Sequence, residues 1–261
     1  MSTSAERREE LTAVFKQARV CTRCPQLAST RTQVVFGSGN ADADLMFVGE
    51  APGAKEDEGG IPFIGAAGKL LDELLAGVGL ARADVFIANV LMCRPPGNRD
   101  PQPGEIDNCR QYLMRKVELI QPTVICTLGN FATKLLRGDP TGISRLHGEA
   151  EIITVGNRAV RLYPLYHPAA ALYTRSLLDT LKVDIGRLPA LLALGPPAQP
   201  EPVAAEPEAV AAVPDPSVAA EPQPAPPPAA VALEPQRPDW LDWTDGSAPD
   251  EPPADRQLGL F

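Results

Sequence analysis

"DLMFVGEAPGAKEDEGGIPFIGAAGKLLDELLAGVG" (residues 44–79) opens on an apolar run, crosses a glycine-rich turn and ends on leucines at helical spacing. An apolar run of strand length presents no polar face to water, so it belongs inside a sheet covered on both sides. The same order recurs twice: "DVFIANVLM" (84–92) precedes "PGEIDNCRQYLMRKVELIQ" (103–121), and "PTVICTLG" (122–129) precedes "NFATKLL" (130–136). Strand alternating with helix predicts an α/β fold, a three-layer αβα sandwich around a mostly parallel sheet. "EIITVGNRAVRLYPLYHP" (151–168) adds two strands, and a last helix runs through "SLLDTLKVDIGRL" (176–188). An opening helix is expected in "REELTAVFKQARV" (8–20), with Thr3 and Glu6 spaced as a capping box.

The composition of the 261-residue chain breaks near Gly195. Of its 29 prolines, 12 lie in residues 1–194 and 17 in 195–261. Residues 1–194 carry 22 Lys+Arg against 21 Asp+Glu, net +1, and residues 195–261 carry 2 against 12, net −10, which together make the −9 of the chain. The acidity thus belongs to the tail. A segment such as "PPAQPEPVAAEPEAVAAVPDPSVAAEPQPAPPPAA" (196–230) has too few large apolar side chains to offset the entropy of ordering it, so a disordered C-terminal tail is expected. The remaining residues, about 190, suffice for one domain with a sizeable core. No apolar run has the length of a signal peptide or a membrane span, which points to a cytosolic protein with no membrane partner and with reduced thiols.

In parallel sheets of this kind the ligand lies beyond the carboxyl ends of the strands. The segments expected there are Gly49–Gly65, Cys93–Pro103 and His167–Arg175. In the first, Glu50, Glu56, Asp57 and Glu58 would repel phosphate, so the glycines suit close approach of a neutral planar ligand, with Phe63 available to stack on it. Asn89 stands alone among Ile87, Ala88, Val90 and Leu91, and its amide both donates and accepts, as reading the edge of a base requires. His167 is one of two histidines, fixed by Pro168 at the mouth of a loop; His147, in "SRLHG", reads as structural. Cys21 and Cys24 are spaced C-x2-C, followed after 68 residues by Cys93 and after 15 more by Cys109. Four such thiols suit an iron–sulfur cluster or structural zinc, and spacing does not choose between them. Cys126, inside an apolar strand, reads as a core residue.

Taken together, "GEAPGAKEDEGGIPFIGAAG" (49–68), "NVLMCRPPGNRDPQPGEIDNC" (89–109), "HPAAAL" (167–172) and the four cysteines resemble the uracil-DNA glycosylase superfamily, most closely its family 4, the iron–sulfur branch. The motifs run in that family's order over residues 20–187 or so. The resemblance implies a DNA repair glycosylase that flips uracil out of DNA and hydrolyses its N-glycosidic bond. It assigns Cys21, Cys24, Cys93 and Cys109 to a [4Fe–4S] cluster, Phe63 to stacking on uracil, and Asn89 to its polar edge. Glu50 and Ala51 would lie in the water-positioning turn, Glu56 near C5 of the base, and His167 beside O2. Where family 1 enzymes carry an aspartate, this chain has Ala51, which leaves Glu50 as the candidate to orient water.

DNA contacts are expected from Arg94, Arg99, Arg145 and Arg175, with Leu172 as a wedge into the vacated stack. A related branch traps uracil-DNA covalently through a histidine in a basic insertion. The stretch "TGISRLHGEA" (141–150) has no comparable run of basic residues, which weighs against that alternative. A monomeric, cytoplasmic and nucleoid-associated bacterial protein is implied.

The chain ends in "QLGLF" (257–261), which resembles the pentapeptide by which bacterial repair proteins dock on the sliding clamp. Gln257 would bond at the rim of the clamp's groove while Leu258, Leu260 and Phe261 fill apolar pockets. The expected organisation is a glycosylase domain in 1–194, a linker in 195–256 and a clamp-binding motif in 257–261. About 60 flexible residues give a reach on the order of 40 Å. Trp240 and Trp243, within the acidic tail, suggest a second docking segment.

Overall fold

The computed structural model describes residues 3–200. Its centre is a six-stranded sheet in the order β1-β3-β2-β4-β6-β5. The strands are β1 (Ser38–Gly39), β2 (Leu45–Gly49), β3 (Phe86–Asn89), β4 (Val124–Leu128), β5 (Glu151–Val155) and β6 (Arg158–Leu165). The four inner strands are parallel, with Met46 beside Phe86 and Ile125, and Ile125 beside Leu162. The edge strands β1 and β5 run antiparallel to their neighbours.

Alternation along the buried strands builds the two outer layers. Met46 and Val48 of β2 pack on one face with Leu11 and Ala18 of α1 (Ser4–Arg19), Leu27 of α2 (Pro25–Thr30), Leu113 and Val117 of α5 (Pro103–Ile120), and Leu135 of α6 (Asn130–Arg137). Leu45 and Phe47 pack on the other with Leu71 and Leu75 of α4 (Ala66–Ala76), Ala171 of α8 (Pro168–Ala171), Leu181 and Ile185 of α9 (Arg175–Gly186), and Leu188 of α10 (Leu188–Ala193). This is the three-layer αβα sandwich, and Cys126 is wholly buried in its central strand. Two short helices complete the order, α3 (Ala54–Gly59) and α7 (Ile143–Leu146).

Thr3 and Glu6 form the capping box: the Glu6 backbone N–H donates to Thr3 Oγ1 at 3.3 Å and the Thr3 N–H to Glu6 Oε2 at 2.7 Å. The expected last helix is α9, and a further helix, α10, follows it with Pro189 in its first turn. Beyond residue 194, the Gln199 amide brackets Ala159, donating to its carbonyl at 3.0 Å and accepting from its N–H at 3.2 Å. Among the described residues no helix is long and apolar enough to cross a membrane. Gln257, Leu258, Leu260 and Phe261, like Trp240 and Trp243, lie outside the described residues.

Candidate active site

The carboxyl ends of the parallel strands open into a cleft of about 380 Å³. Glu50 and Ala51 reach it from the end of β2, Asn89 from the last position of β3 and His167 from the segment after β6, and Glu56 and Phe63 enter from the glycine-rich turn. All six residues that the sequence pattern singled out for base binding line this one cleft. Pro52, Gly53, Ala67, Pro95, Asn98, Arg99 and Ala169 complete its walls.

The turn after β2 is less open than its composition suggests. It contains α3, and Glu56 on that helix accepts from the backbone N–H groups of Ile64 (3.0 Å) and Gly65 (2.8 Å). Asp57 is buried and accepts from the Thr32 N–H at 3.0–3.1 Å. Of these acids, Glu58 remains exposed. These bonds fix the loop that carries Phe63, whose backbone adopts a left-handed conformation (φ 54°). For an aromatic residue that conformation costs about 1–2 kcal/mol, so the surrounding bonds must hold it.

The Phe63 ring lies over Gly49, where a Cβ would come within 2.7 Å of Cε2 and would also strike the Asn89 amide. The ring also meets His167, with centroids 5.6 Å apart and planes 28° from parallel. Gly129, at φ 90°, makes room for His167: a Cβ there would stand 3.2 Å from the histidine's own. His167 caps α8, and its Nδ1 accepts from the Ala169 N–H at 3.1 Å. That bond assigns the proton of the neutral ring to Nε2, as a donor for the cleft. Burial holds the His167 pKa down at about 4, so the ring is neutral at physiological pH.

Asn89 is 2 % exposed and its Oδ1 has no hydrogen-bond partner. A buried amide oxygen without a partner is costly unless a ligand supplies one. Glu50 is raised to about 7 by burial, reinforced by repulsion from Asp100, so near neutrality its carboxyl is poised between proton acceptor and proton donor. The cleft therefore offers a flat apolar face, an unsatisfied amide, a neutral N–H donor and a carboxyl of tuned basicity.

Beside the cleft, on the α1–α5 face, lie four thiols. Cys93 and Cys109 are buried in the core, and Cys21 and Cys24 pack against it. Burial pushes the thiol pKa values of Cys24 and Cys93 up, and that of Cys109 to about 11. Arg31 donates to Cys93 Sγ at 3.3 Å and Asn108 to Cys24 Sγ at 3.5 Å. Among the described residues, no group of three or more His, Cys, Asp or Glu side chains is placed to hold a metal ion.

The residues expected at DNA are dispersed. Arg99 lines the cleft, but its guanidinium is paired with both carboxylate oxygens of Glu105 (2.6 and 3.0 Å) and touches Gln26 Oε1 (3.2 Å). It thereby ties the cleft wall to the capping box of α5 and to α2. Arg94 donates to Asn98 at 2.8 Å. Arg145 is exposed on α7 and Arg175 at the start of α9. Leu172, 43 % exposed, follows α8. Two neighbours of the site were not singled out in the sequence: Tyr173, 91 % exposed beside Leu172, and Arg82, whose loop position offers no pattern to read. His147 lies away from the cleft, bonded through Nδ1 to Asp184 at 2.8 Å.

A family model for the uracil DNA glycosylase superfamily matches residues 36–185. The chain is 44% identical over 184 residues to a type-4 uracil-DNA glycosylase of Archaeoglobus fulgidus, covering 69% of this chain and 92% of that protein. It is 43% identical over 171 residues to a type-4 uracil-DNA glycosylase of Thermotoga maritima, covering 65% and 87%. To a type-5 uracil-DNA glycosylase of Pyrobaculum aerophilum it is 30% identical over 201 residues, covering 64% and 82%.

Proposed function

This chain belongs to the uracil DNA glycosylase superfamily and is a uracil-excising DNA repair glycosylase, and we propose that its cleft reads and releases the base as follows. The observation that carries the mechanism is the buried Asn89 amide with an unpartnered Oδ1, set beside the Phe63 ring. Uracil flipped from the duplex stacks on Phe63, accepts from Asn89 Nδ2 at O4 and donates N3–H to Oδ1. Cytosine presents the opposite pattern and leaves both partners unpaired. Glu56, held by the Ile64 and Gly65 N–H groups, is a fixed wall that excludes the C5 methyl of thymine.

As the N1–C1′ bond breaks, both electrons leave with the base. His167 Nε2–H donates to the developing charge on O2, a stabilisation that grows toward the transition state. A neutral donor suits this step, because an imidazolium would be costly in so buried a place. Water held by Glu50 adds its oxygen to C1′ and passes a proton to the carboxylate, leaving an abasic site.

Cys21, Cys24, Cys93 and Cys109 would hold a [4Fe–4S] cluster. The support for this is the donor set itself: four thiols on one face of the fold, two of them receiving hydrogen bonds at sulfur. Such a cluster would supply structural order, tying the segment after α1 to the loop after β3 and to α5, since hydrolysis transfers no electrons.

Further parts of this reading are the DNA contacts of Arg94, Arg99, Arg145 and Arg175 and the wedge at Leu172. The division of the chain belongs here too: a catalytic part in 1–194, a linker in 195–256, and Gln257, Leu258, Leu260 and Phe261 as a sliding-clamp motif that keeps a monomeric enzyme near DNA. The test is incubation with a uracil-containing oligonucleotide. An alkali-labile abasic site is the expected product; a denaturation-resistant protein–DNA adduct, or an intact oligonucleotide, would overturn the reading.

A further inference from the structure

Phe63 is the flat face of the site, and its ring contacts with Gly49 and His167 are not all that sets where that face stands. Its position is fixed through its backbone, in the left-handed region at φ 54°. Glu56 holds the N–H side of the loop just beyond it, at Ile64 and Gly65. The carbonyl side is held by Arg82, from the loop between α4 and β3. Arg82 Nη1 donates to the Phe63 carbonyl at 2.9 Å, and Nη2 donates to the Pro62 carbonyl. The guanidinium is anchored in turn by Asp72 on α4, with Nη1 3.1 Å from Oδ1. Gly68, in the first turn of α4, allows this approach, because any Cβ there would strike the Phe63 carbonyl.

We propose that Arg82 is a positioning residue for base recognition: its planar fork, braced by Asp72, clamps two consecutive carbonyls and so fixes the height of the Phe63 ring against the base. The inference deepens the uracil-binding reading and rests on it. A guanidinium presents two parallel N–H donors at fixed separation, which matches the carbonyls of Pro62 and Phe63. A lysine supplies a point charge that cannot hold both in one geometry. Because Phe63 touches the base in the bound state as well as in the transition state, loss of the clamp should weaken base binding more than the chemical step.

The experiment compares wild type with Arg82→Ala, Arg82→Lys, Phe63→Ala and the Arg82→Ala/Phe63→Ala pair, measuring kcat, KM and inhibition of excision by free uracil. The expected result for Arg82→Ala is a roughly 10-fold rise in KM and in the uracil inhibition constant, with kcat within about twofold of wild type. Lysine should not rescue. In the Phe63→Ala background, removal of Arg82 should change nothing further, which a general loss of stability would not reproduce. If Arg82→Ala fails to fold, Asp72→Asn replaces it, and a severalfold rise in the inhibition constant is then expected. Unchanged uracil inhibition in whichever variant folds, or equal losses with and without the Phe63 ring, would overturn the assignment. A wild type that does not excise uracil would instead reject the underlying function.

Discussion

The rings of Phe63 and His167 stand 5.6 Å apart and 28° from parallel, brought together from the turn after β2 and the end of β6. β4 lies between those two strands, and its exit residue Gly129 lets the histidine reach across. On the proposed reading, the arrangement would set a stacking surface and an N–H donor against one bound base. Neither strand could build that pair alone, which is why parallel topology matters to the chemistry.

His167→Ala should lower single-turnover excision by about 10²–10³-fold, the usual cost of losing one donor to a developing oxyanion. Because burial holds the ring neutral down to about pH 4, the deficit should be the same at pH 6 and pH 8. A deficit that disappears above pH 6.5 would mean that the imidazolium is the working form.

For Glu50, the folded-state carboxyl titrates near 7 instead of 4.5. Its raised pKa means the folded protein prefers the acid form. Folding is therefore unpenalised below about pH 4.5, and the penalty grows through pH 7 to about 3 kcal/mol. Glu50→Gln should melt higher than wild type at pH 8, with the gap closing by pH 5, while excision falls about 10²-fold. The wild-type rate should rise with pH around a midpoint near 7. Equal melting temperatures at pH 8 would contradict the assigned burial of charge.

Purified protein should be brown, with broad absorbance near 400 nm and about four irons per chain. Cys109→Ser should lose both colour and thermal stability. Colourless protein with one zinc would contradict the cluster assignment.

Much of this was legible from local pattern. The apolar runs at 44–50, 84–92 and 122–129 contain three of the four parallel strands because a strand covered on both faces must be apolar throughout. Asn89 and Phe63 stood out as residues ill-suited to their surroundings. What escaped depends on tertiary partners. Glu56 and Asp57 look like solvent-facing acids until the N–H groups they accept from are in view. Lys116 reads as a surface residue of α5, yet it is fully buried with Nζ 4.3 Å above the Phe36 ring. Arg99 reads as a DNA contact, and its pairing with Glu105, six residues on, shows only in the structure. β1 is two residues long and carries no periodicity to detect.

Deleting residues 257–261 should abolish binding to a bacterial sliding clamp, measured by surface plasmon resonance, and leave excision of free oligonucleotides unchanged. Loss of excision as well would assign those residues to the fold.

The central claim is that Asn89 reads the base, and the most direct measurement is single-turnover excision from three oligonucleotides that differ only in carrying uracil, cytosine or thymine. Wild type should act on uracil alone. Asn89→Ala should lose about 10²-fold or more of that activity while melting no lower than wild type, since the amide oxygen it removes has no partner in the resting protein. Near-wild-type excision by Asn89→Ala, or comparable wild-type action on cytosine, would contradict the account.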